Sequence, residues 1–349
     1  MRAEMRAPTA APLLEVDNLR THFTTPGGLV KSVDGVSFTV GHQETVCIVG
    51  ESGSGKSITA RSIMGLVRRP GRVVGGRMNF RLRDGSTVDL AAIPPDSATY
   101  RAIRGREIGM IFQEPMSALS PVHTIGSQIE EGIRLHLGFG ARAARERAVD
   151  ALEKVGFPGA RQRLNTYPFQ LSGGLRQRVC IAMALACEPS LLIADEPTTA
   201  LDVTTQANIL ELLLRLQGEL GMAIVFITHD LGVVAEIADR VVVMYLGQVM
   251  EAGPASGILG HPRHPYTRGL LRCVADIEGD GLLRAIPGIV PHPLARPPGC
   301  PFSTRCEEMM PGLCDTTAPE LLAINGESRV RCHLWSSGQP HVTEGAVHG

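Results

Sequence analysis

The sequence predicts an α/β protein on a mainly parallel sheet, preceded by an antiparallel β region and followed by a small C-terminal extension. Three observations lead there. Short apolar runs, LLIAD (Leu191–Asp195) and AIVFIT (Ala223–Thr228), alternate with segments of helical periodicity. The first forty residues instead alternate polar and apolar positions on either side of a Pro26-Gly27-Gly28 turn. Beyond about Pro254 the composition becomes proline-rich, with six prolines between Pro287 and Pro301, which suits an extended loop rather than regular structure.

Taken in order, the chain reads as two N-terminal strands, then an apolar strand over residues 44–50 and a helix over 56–68. A strand follows over 108–112, helical spacing over 124–155 and a helix over 172–186. The run at Leu191–Asp195, a helix over Val203–Leu220, the strand Ala223–Thr228, a further helix and RVVVMY complete the alternation. At 349 residues the chain exceeds the ~250–300 at which single cores stop growing. The expected division is an N-terminal lead over 1–12, a main domain over 13–258 with a helical subdomain at about 115–187, and an extension over 259–349.

Composition excludes several classes. With 44% hydrophobic and 20% charged residues the chain has the makings of a packed core. A formal net charge of -1 argues against nucleic-acid binding through bulk positive charge. No stretch reaches the ~18 apolar residues of a spanning helix, and the first residues do not read as a secretory signal. The expectation is a cytoplasmic location, with any membrane role exercised through a partner.

Gly50-Glu51-Ser52-Gly53-Ser54-Gly55-Lys56-Ser57 matches G-x-x-x-x-G-K-[ST] between an expected strand and helix. Glycines let the backbone wrap a phosphate, consecutive N–H groups form an anion nest, and the helix adds its positive end. Lys56 is expected to reach the β- and γ-phosphates of a nucleoside triphosphate and Ser57 to ligate Mg²⁺. Asp195, closing an apolar strand, suits a second Mg²⁺ ligand, and Glu196 beside it a general base for the attacking water. Leu171-Ser172-Gly173-Gly174-Leu175 places a hydroxyl and two glycines at a helix start, a second phosphate-binding N-terminus.

Together these residues resemble the ATPase subunits of ABC transporters. The segment at 171–175 is similar to their LSGGQ sequence, with Leu175 departing from the common Gln. The resemblance implies a P-loop NTPase core of ABC type, with a RecA-like sheet, an N-terminal antiparallel β region and a helical subdomain. It assigns Gln113 to the Q-loop, Ala200-Leu201-Asp202 to the D-loop and His229 to the switch histidine at the γ-phosphate. Phe23 becomes the aromatic stacked on adenine. It further implies two cassettes sandwiching two ATP molecules, each held between Lys56 of one subunit and the Ser172–Gly174 segment of the other. One cassette per chain speaks against the soluble ABC proteins of translation or DNA repair.

His264-Pro265-Tyr266-Thr267 resembles the tail of the dipeptide and oligopeptide importer ATPases, specifically their D-type subunit. That implies an F-type ATPase partner, two integral-membrane permease subunits and an extracytoplasmic solute-binding protein, with the chain on the cytoplasmic face of the membrane. Nickel importer ATPases share the tail, and glutathione and opine carriers are also close relatives of this group.

Cys47, Cys180, Cys187 and Cys273 lie in apolar segments and are expected to be reduced thiols. Cys300, Cys306, Cys314 and Cys332 follow C-x5-C-x7-C-x17-C, and four soft sulfur ligands suit an iron–sulfur cluster or zinc. The resemblance to D-type subunits favours a [4Fe-4S] cluster, with zinc and free thiols as the alternatives. The tail histidines His261, His264, His292, His333 and His341 are expected to be solvated loop residues without a role.

Overall fold

A computed structural model describes residues 11–113, 118–199, 202–278, 286–324 and 326–336. The chain divides into two compact units. One comprises Met1–Val16, Thr39–Glu44 and Arg77–Val225; the other comprises Asp17–Phe38, Thr45–Gly76 and Phe226–Gly349.

In the first unit, strands β6 (Ile108–Ile111) and β7 (Leu191–Asp195) pair in parallel, with Ile108 opposite Leu191 and Ile111 opposite Ala194. Every residue of both strands is buried. This is why they read as unbroken apolar runs, since a parallel strand is covered on both faces. Three helices pack together in this unit: α3 (Ile125–Leu137), α4 (Ala141–Lys154) and α6 (Gly173–Leu185). Ile125, Ile129 and Ile133 bury one stripe of α3, and Ala144, Ala148 and Leu152 one stripe of α4, the spacing that predicted helix over 124–155. That segment is two helices because Gly138 at φ 69° ends the first. The short helices α2 (Ala98–Ile103) and α5 (Ala160–Arg163), strand β5 (Thr87–Asp89) antiparallel to the Arg77–Arg81 end of β4 (Gly71–Arg81), and helix α7 (Val203–Leu220) complete the unit's main elements.

The second unit contains most of β1 (Leu14–Thr25) and β2 (Gly28–Val40), and a sheet ordered β11-β12-β10-β9-β3. Here β3 (Thr45–Val49) runs parallel to β9 (Arg240–Tyr245), and β10 (Gln248–Pro254) returns antiparallel with an irregular register between Val249 and Glu251. Two short strands of the extension lengthen this sheet. β12 (Arg329–Val330) pairs with β10, Glu251 opposite Val330, and β11 (Leu322–Ala323) pairs with β12. Helix α1 (Lys56–Ile63) follows β3, and α8 (Leu231–Ile237), α9 (Ala255–Gly260) and α10 (Pro265–Glu278) follow later. The helix expected over 56–68 ends early, capped at Met64 with Gly65 at φ 59°. The proline-rich stretch forms only a 3₁₀ turn at Pro293–Ala295.

Among the described residues no helix is long and apolar enough to cross a membrane. All eight cysteines are free thiols. Burial pushes the Cys180 thiol up to about 12 and raises that of Cys187, as expected for inert core sulfurs.

Candidate functional site

In the second unit, β3 ends at Val49 and the loop Gly50–Gly55 turns directly into α1. Two of its glycines are dictated by space. A Cβ at Gly50 (φ 148°) would sit 2.1 Å from the Met244 carbonyl oxygen, and one at Gly55 (φ 101°) 2.4 Å from that of Ser32. No side chain fits such approaches to backbone. Lys56 is buried, its Nζ donating to the carbonyls of Gly50 (2.6 Å) and Glu51 (3.1 Å). The Ser54 hydroxyl is buried and finds no hydrogen-bond partner among the described residues. A polar concavity of backbone N–H groups, a lysine and an unsatisfied hydroxyl at the start of a helix suits a polyphosphate. Ser52 and Gly53 lie on the exposed rim, and Ser57 follows Lys56 in the first turn of α1.

Glu51 is held on three sides. Its N–H donates to Tyr266 Oη at 2.9 Å, its carbonyl accepts from Lys56, and its carboxylate receives both arms of Arg305, Nη1 to Oε2 at 2.6 Å and Nη2 to Oε1 at 3.0 Å. Arg305 is buried and also donates to the carbonyls of Pro287 (3.0 Å) and Ile286 (3.2 Å). Burial works against the Arg305 charge, but the hydrogen bonds to Glu51 outweigh it and hold the guanidinium protonated. Tyr266 is fully buried against Tyr245 (ring centroids 4.8 Å apart) and Phe302 (5.2 Å). None of this network was visible in the sequence, where Glu51 was one variable position of the loop.

His264 corrects the expectation of a solvated loop histidine: it is 1% exposed. Its Nδ1 accepts the Tyr266 backbone N–H at 3.0 Å, and the His264 backbone N–H donates to the buried Glu251 carboxylate at 2.9 Å. Burial lowers its pKa to about 3, with Arg268 acting in the same direction. His333 and His292 are also engaged. His333 Nε2 pairs with the Thr317 carbonyl at 2.9 Å, and His292 Nδ1 accepts the Leu294 N–H at 3.3 Å. His341 lies outside the described residues.

Cys300, Cys306, Cys314 and Cys332 all line one enclosed cavity of about 10 Å³, room for no more than a water. Backbone N–H groups approach each sulfur: Phe302 and Ser303 at Cys300, Glu308 at Cys306, Met310 at Cys314 and Leu334 at Cys332. Burial pushes Cys306 to about 11 and Cys332 to about 12, with neighbouring thiols adding to both. Among the described residues, however, no three His, Cys, Asp or Glu side chains stand close enough together to hold a metal ion.

In the first unit, buried Asp195 ends β7 and Glu196 follows in a left-handed backbone conformation (φ 48°), unusual for a residue with a side chain. Gln113, two residues beyond β6, donates through Nε2 to Glu196 Oε2 at 3.2 Å, and Thr199 Oγ1 donates to the same oxygen at 3.0 Å. Two residues singled out separately in the sequence are thereby brought into contact. Ser172 is the N-cap of α6, its hydroxyl accepting the Leu175 N–H at 3.4 Å. Among the described residues nothing lies within 4 Å of a Cβ added at Gly173, so none of them demands glycine there. Sequence reasoning missed Gln177, which is buried in α6 and donates to the Pro197 carbonyl at 2.6 Å, tying that helix to the segment after Glu196.

Asp202 is the N-cap of α7, accepting from Thr205 N (2.9 Å) and Thr205 Oγ1 (2.7 Å). Ala200 and Leu201 of the expected D-loop, and residues 114–117 after Gln113, lie outside the described residues. In the second unit, His229 is exposed immediately after β8 (Ala223–Thr228), and the Phe23 ring packs on Gly71, where a Cβ would be 2.3 Å from it.

Comparison with known proteins agrees with both parts of this picture. Residues 33–199 match the ABC transporter family, and residues 250–314 match the C-terminal region of oligopeptide and dipeptide transporters. A protein of Brucella melitensis biotype 1 named as a peptide import ATP-binding protein is 50% identical over 333 residues, 93% of this chain and 97% of its own. A Brucella abortus protein of the same designation is 48% identical over 323 residues, 92% of this chain and 95% of its own. The dimeric ATP-binding cassette MJ0796, in a post-hydrolysis state bound to ADP and Pi, superposes with a TM-score of 0.60. It is 28% identical and covers 69% of this chain and 98% of that one. The chain therefore belongs to the ATP-binding subunits of ABC-type oligopeptide and dipeptide importers, which hydrolyse ATP to drive uptake through a membrane permease.

Proposed function

We propose that this chain is the D-type ATPase of a peptide importer, acting on the cytoplasmic face of the membrane. It would be paired with a distinct F-type ATPase on two permease subunits, with an extracytoplasmic solute-binding protein delivering the cargo. Lys56, Ser54 and the Gly50–Gly55 backbone take the ATP phosphates, Ser57 and Asp195 hold Mg²⁺, and Phe23 stacks on adenine. When bound, Mg²⁺ neutralises charge on the triphosphate. Glu196 polarises the attacking water and His229 contacts the γ-phosphate. The Ser172–Gly174 segment, with Asp202, faces the nucleotide of the partner cassette. The open space at Gly173 supports that reading, because the glycine then serves an approach from outside the chain.

The observation that carries the proposal is the hydrogen bond from Gln113 to Glu196. It joins the residue that would pass motion toward the permease to the residue that would activate water, so that hydrolysis and movement share one contact.

The four late cysteines are the proposed ligands of a [4Fe-4S] cluster, with zinc as the other soft-ligand candidate. Their convergence on one cavity and the N–H group at each sulfur support thiolate ligands. Bound metal would supply a structural staple beside the segment's own core of Phe302, Val330 and Leu334. Metal analysis of purified protein tests this assignment. Iron or zinc that falls in Cys306→Ser supports the staple, and a metal-free wild type ends it.

Cargo is tested by uptake of a labelled dipeptide, a longer peptide and ⁶³Ni²⁺ in cells with and without the gene. Loss of peptide uptake is expected. Loss of nickel uptake alone would move the chain to the metal-importing branch.

A further inference from the structure

Glu51 poses a problem for the loop that holds it. A carboxylate on a phosphate-binding loop repels a triphosphate unless something cancels its charge or turns it away. The structure supplies a partner 254 residues further along the chain. Arg305 lies one residue before Cys306, in the 3₁₀ turn Ser303–Arg305, and meets both Glu51 carboxylate oxygens with a forked pair of hydrogen bonds. The guanidinium is itself fixed by the carbonyls of Ile286 and Pro287 and lies over the rings of Tyr245 and Phe302 (5.8 and 5.9 Å). Its neighbour in the cluster, Tyr266, takes the Glu51 N–H. The extension thus holds both the charge and the backbone of the second residue of the phosphate loop.

We propose that Arg305 is a positioning residue for ATP binding: it neutralises Glu51 and fixes the entrance of the phosphate loop, coupling the four-cysteine segment to nucleotide affinity. The proposal rests on the phosphate loop being the ATP site and not on any metal at the cysteines. It makes the extension part of the nucleotide site as well as a structural appendage. Disorder in the Cys300–Cys306 turn would free Arg305 and leave an unpaired carboxylate where the phosphates bind.

The test is MgATP affinity of the full chain for wild type, Arg305→Gln, Glu51→Gln and the double variant. Arg305→Gln is expected to raise Kd about tenfold, within the usual range of coupled sites. Adding Glu51→Gln should restore affinity to within about threefold of wild type, because the unpaired charge is removed with its partner gone. Turnover at saturating ATP should change less than KM. A purely structural Arg305 predicts the opposite pattern, with no rescue by Glu51→Gln. Should Arg305→Gln fail to fold, hydrogen exchange of the wild-type 302–305 segment decides, since coupling is reciprocal and MgATP must slow exchange there. Unchanged exchange, or equal Kd in wild type and Arg305→Gln, overturns the proposal. A wild type that binds no MgATP overturns the ATP-site reading instead.

Discussion

Acidification should destabilise this protein through His264 in a way that a single substitution isolates. The imidazole is buried, accepts the Tyr266 N–H and is held neutral, its pKa lowered from 6.5 to about 3 by burial and by Arg268. A histidine neutral in the fold but protonatable when unfolded contributes stability fully present above about pH 6.5. That stability is lost as pH falls toward 3. Each pH unit within that window costs about 1.4 kcal/mol, so lowering pH from 7 to 5 removes about 2 kcal/mol. Asn at this position retains an acceptor for the N–H two residues on, the geometry of an Asx-turn, and does not titrate. Thermal melts of wild type and His264→Asn at pH 7 and 5 make the comparison, other titrating groups cancelling between the two proteins. The wild type should lose about 4–8 °C more than the variant on acidification. An equal loss in both would refute the claim that His264 is kept neutral by its burial.

Other outcomes follow from the packing and the loop. Phe302→Ala empties the centre of a cluster with Tyr245, Tyr266 and His264 and should cost about 3–5 kcal/mol by chemical denaturation, whereas Phe302→Leu should cost less than half as much. Gly55→Ala would place a Cβ 2.4 Å from the Ser32 carbonyl at positive φ, so MgATP binding should fall by at least tenfold, with about 1–3 kcal/mol of strain. Binding at the wild-type level in that variant would mean the loop adopts another shape with nucleotide.

Much of the fold was legible because its inner strands are buried on both faces. Leu191–Asp195 and Ala223–Thr228 were read with the bounds they have, and Val203–Leu220 likewise. Strand β4 was not, because Gly75 and Gly76 interrupt its alternation. Gly76 is there because the Asn18 carbonyl oxygen would stand 2.5 Å from a Cβ. Helix α10 was recognised only as a tail motif, although Pro265 at its first position is a helix-start signal.

The phosphate loop and the Asp195-Glu196 strand end were legible because their spacing is local. What escaped were contacts between distant segments: Arg305 with Glu51, Tyr266 Oη with the Glu51 N–H, and Gln177 with Pro197. A lone Arg in a proline-laced loop has no pattern that announces a buried partner, and His264 was misjudged because flanking prolines suggested solvent. The four cysteines were expected to close on one metal; they line one cavity, but among the described residues no three ligand side chains stand close enough for that, and spacing alone cannot give the sulfur separations on which metal binding depends.

The most direct test of the account is ATP binding and turnover by Glu196→Gln in the assembled importer. Glu196 hydrogen-bonds to Gln113 and Thr199 after the strand that ends in Asp195, and the amide preserves its shape without its basicity. Binding of MgATP should remain at the wild-type level while hydrolysis falls by about 10²–10⁴-fold and peptide uptake stops. Hydrolysis at the wild-type rate would contradict Glu196 as the base, and with it the chemistry assigned to this site.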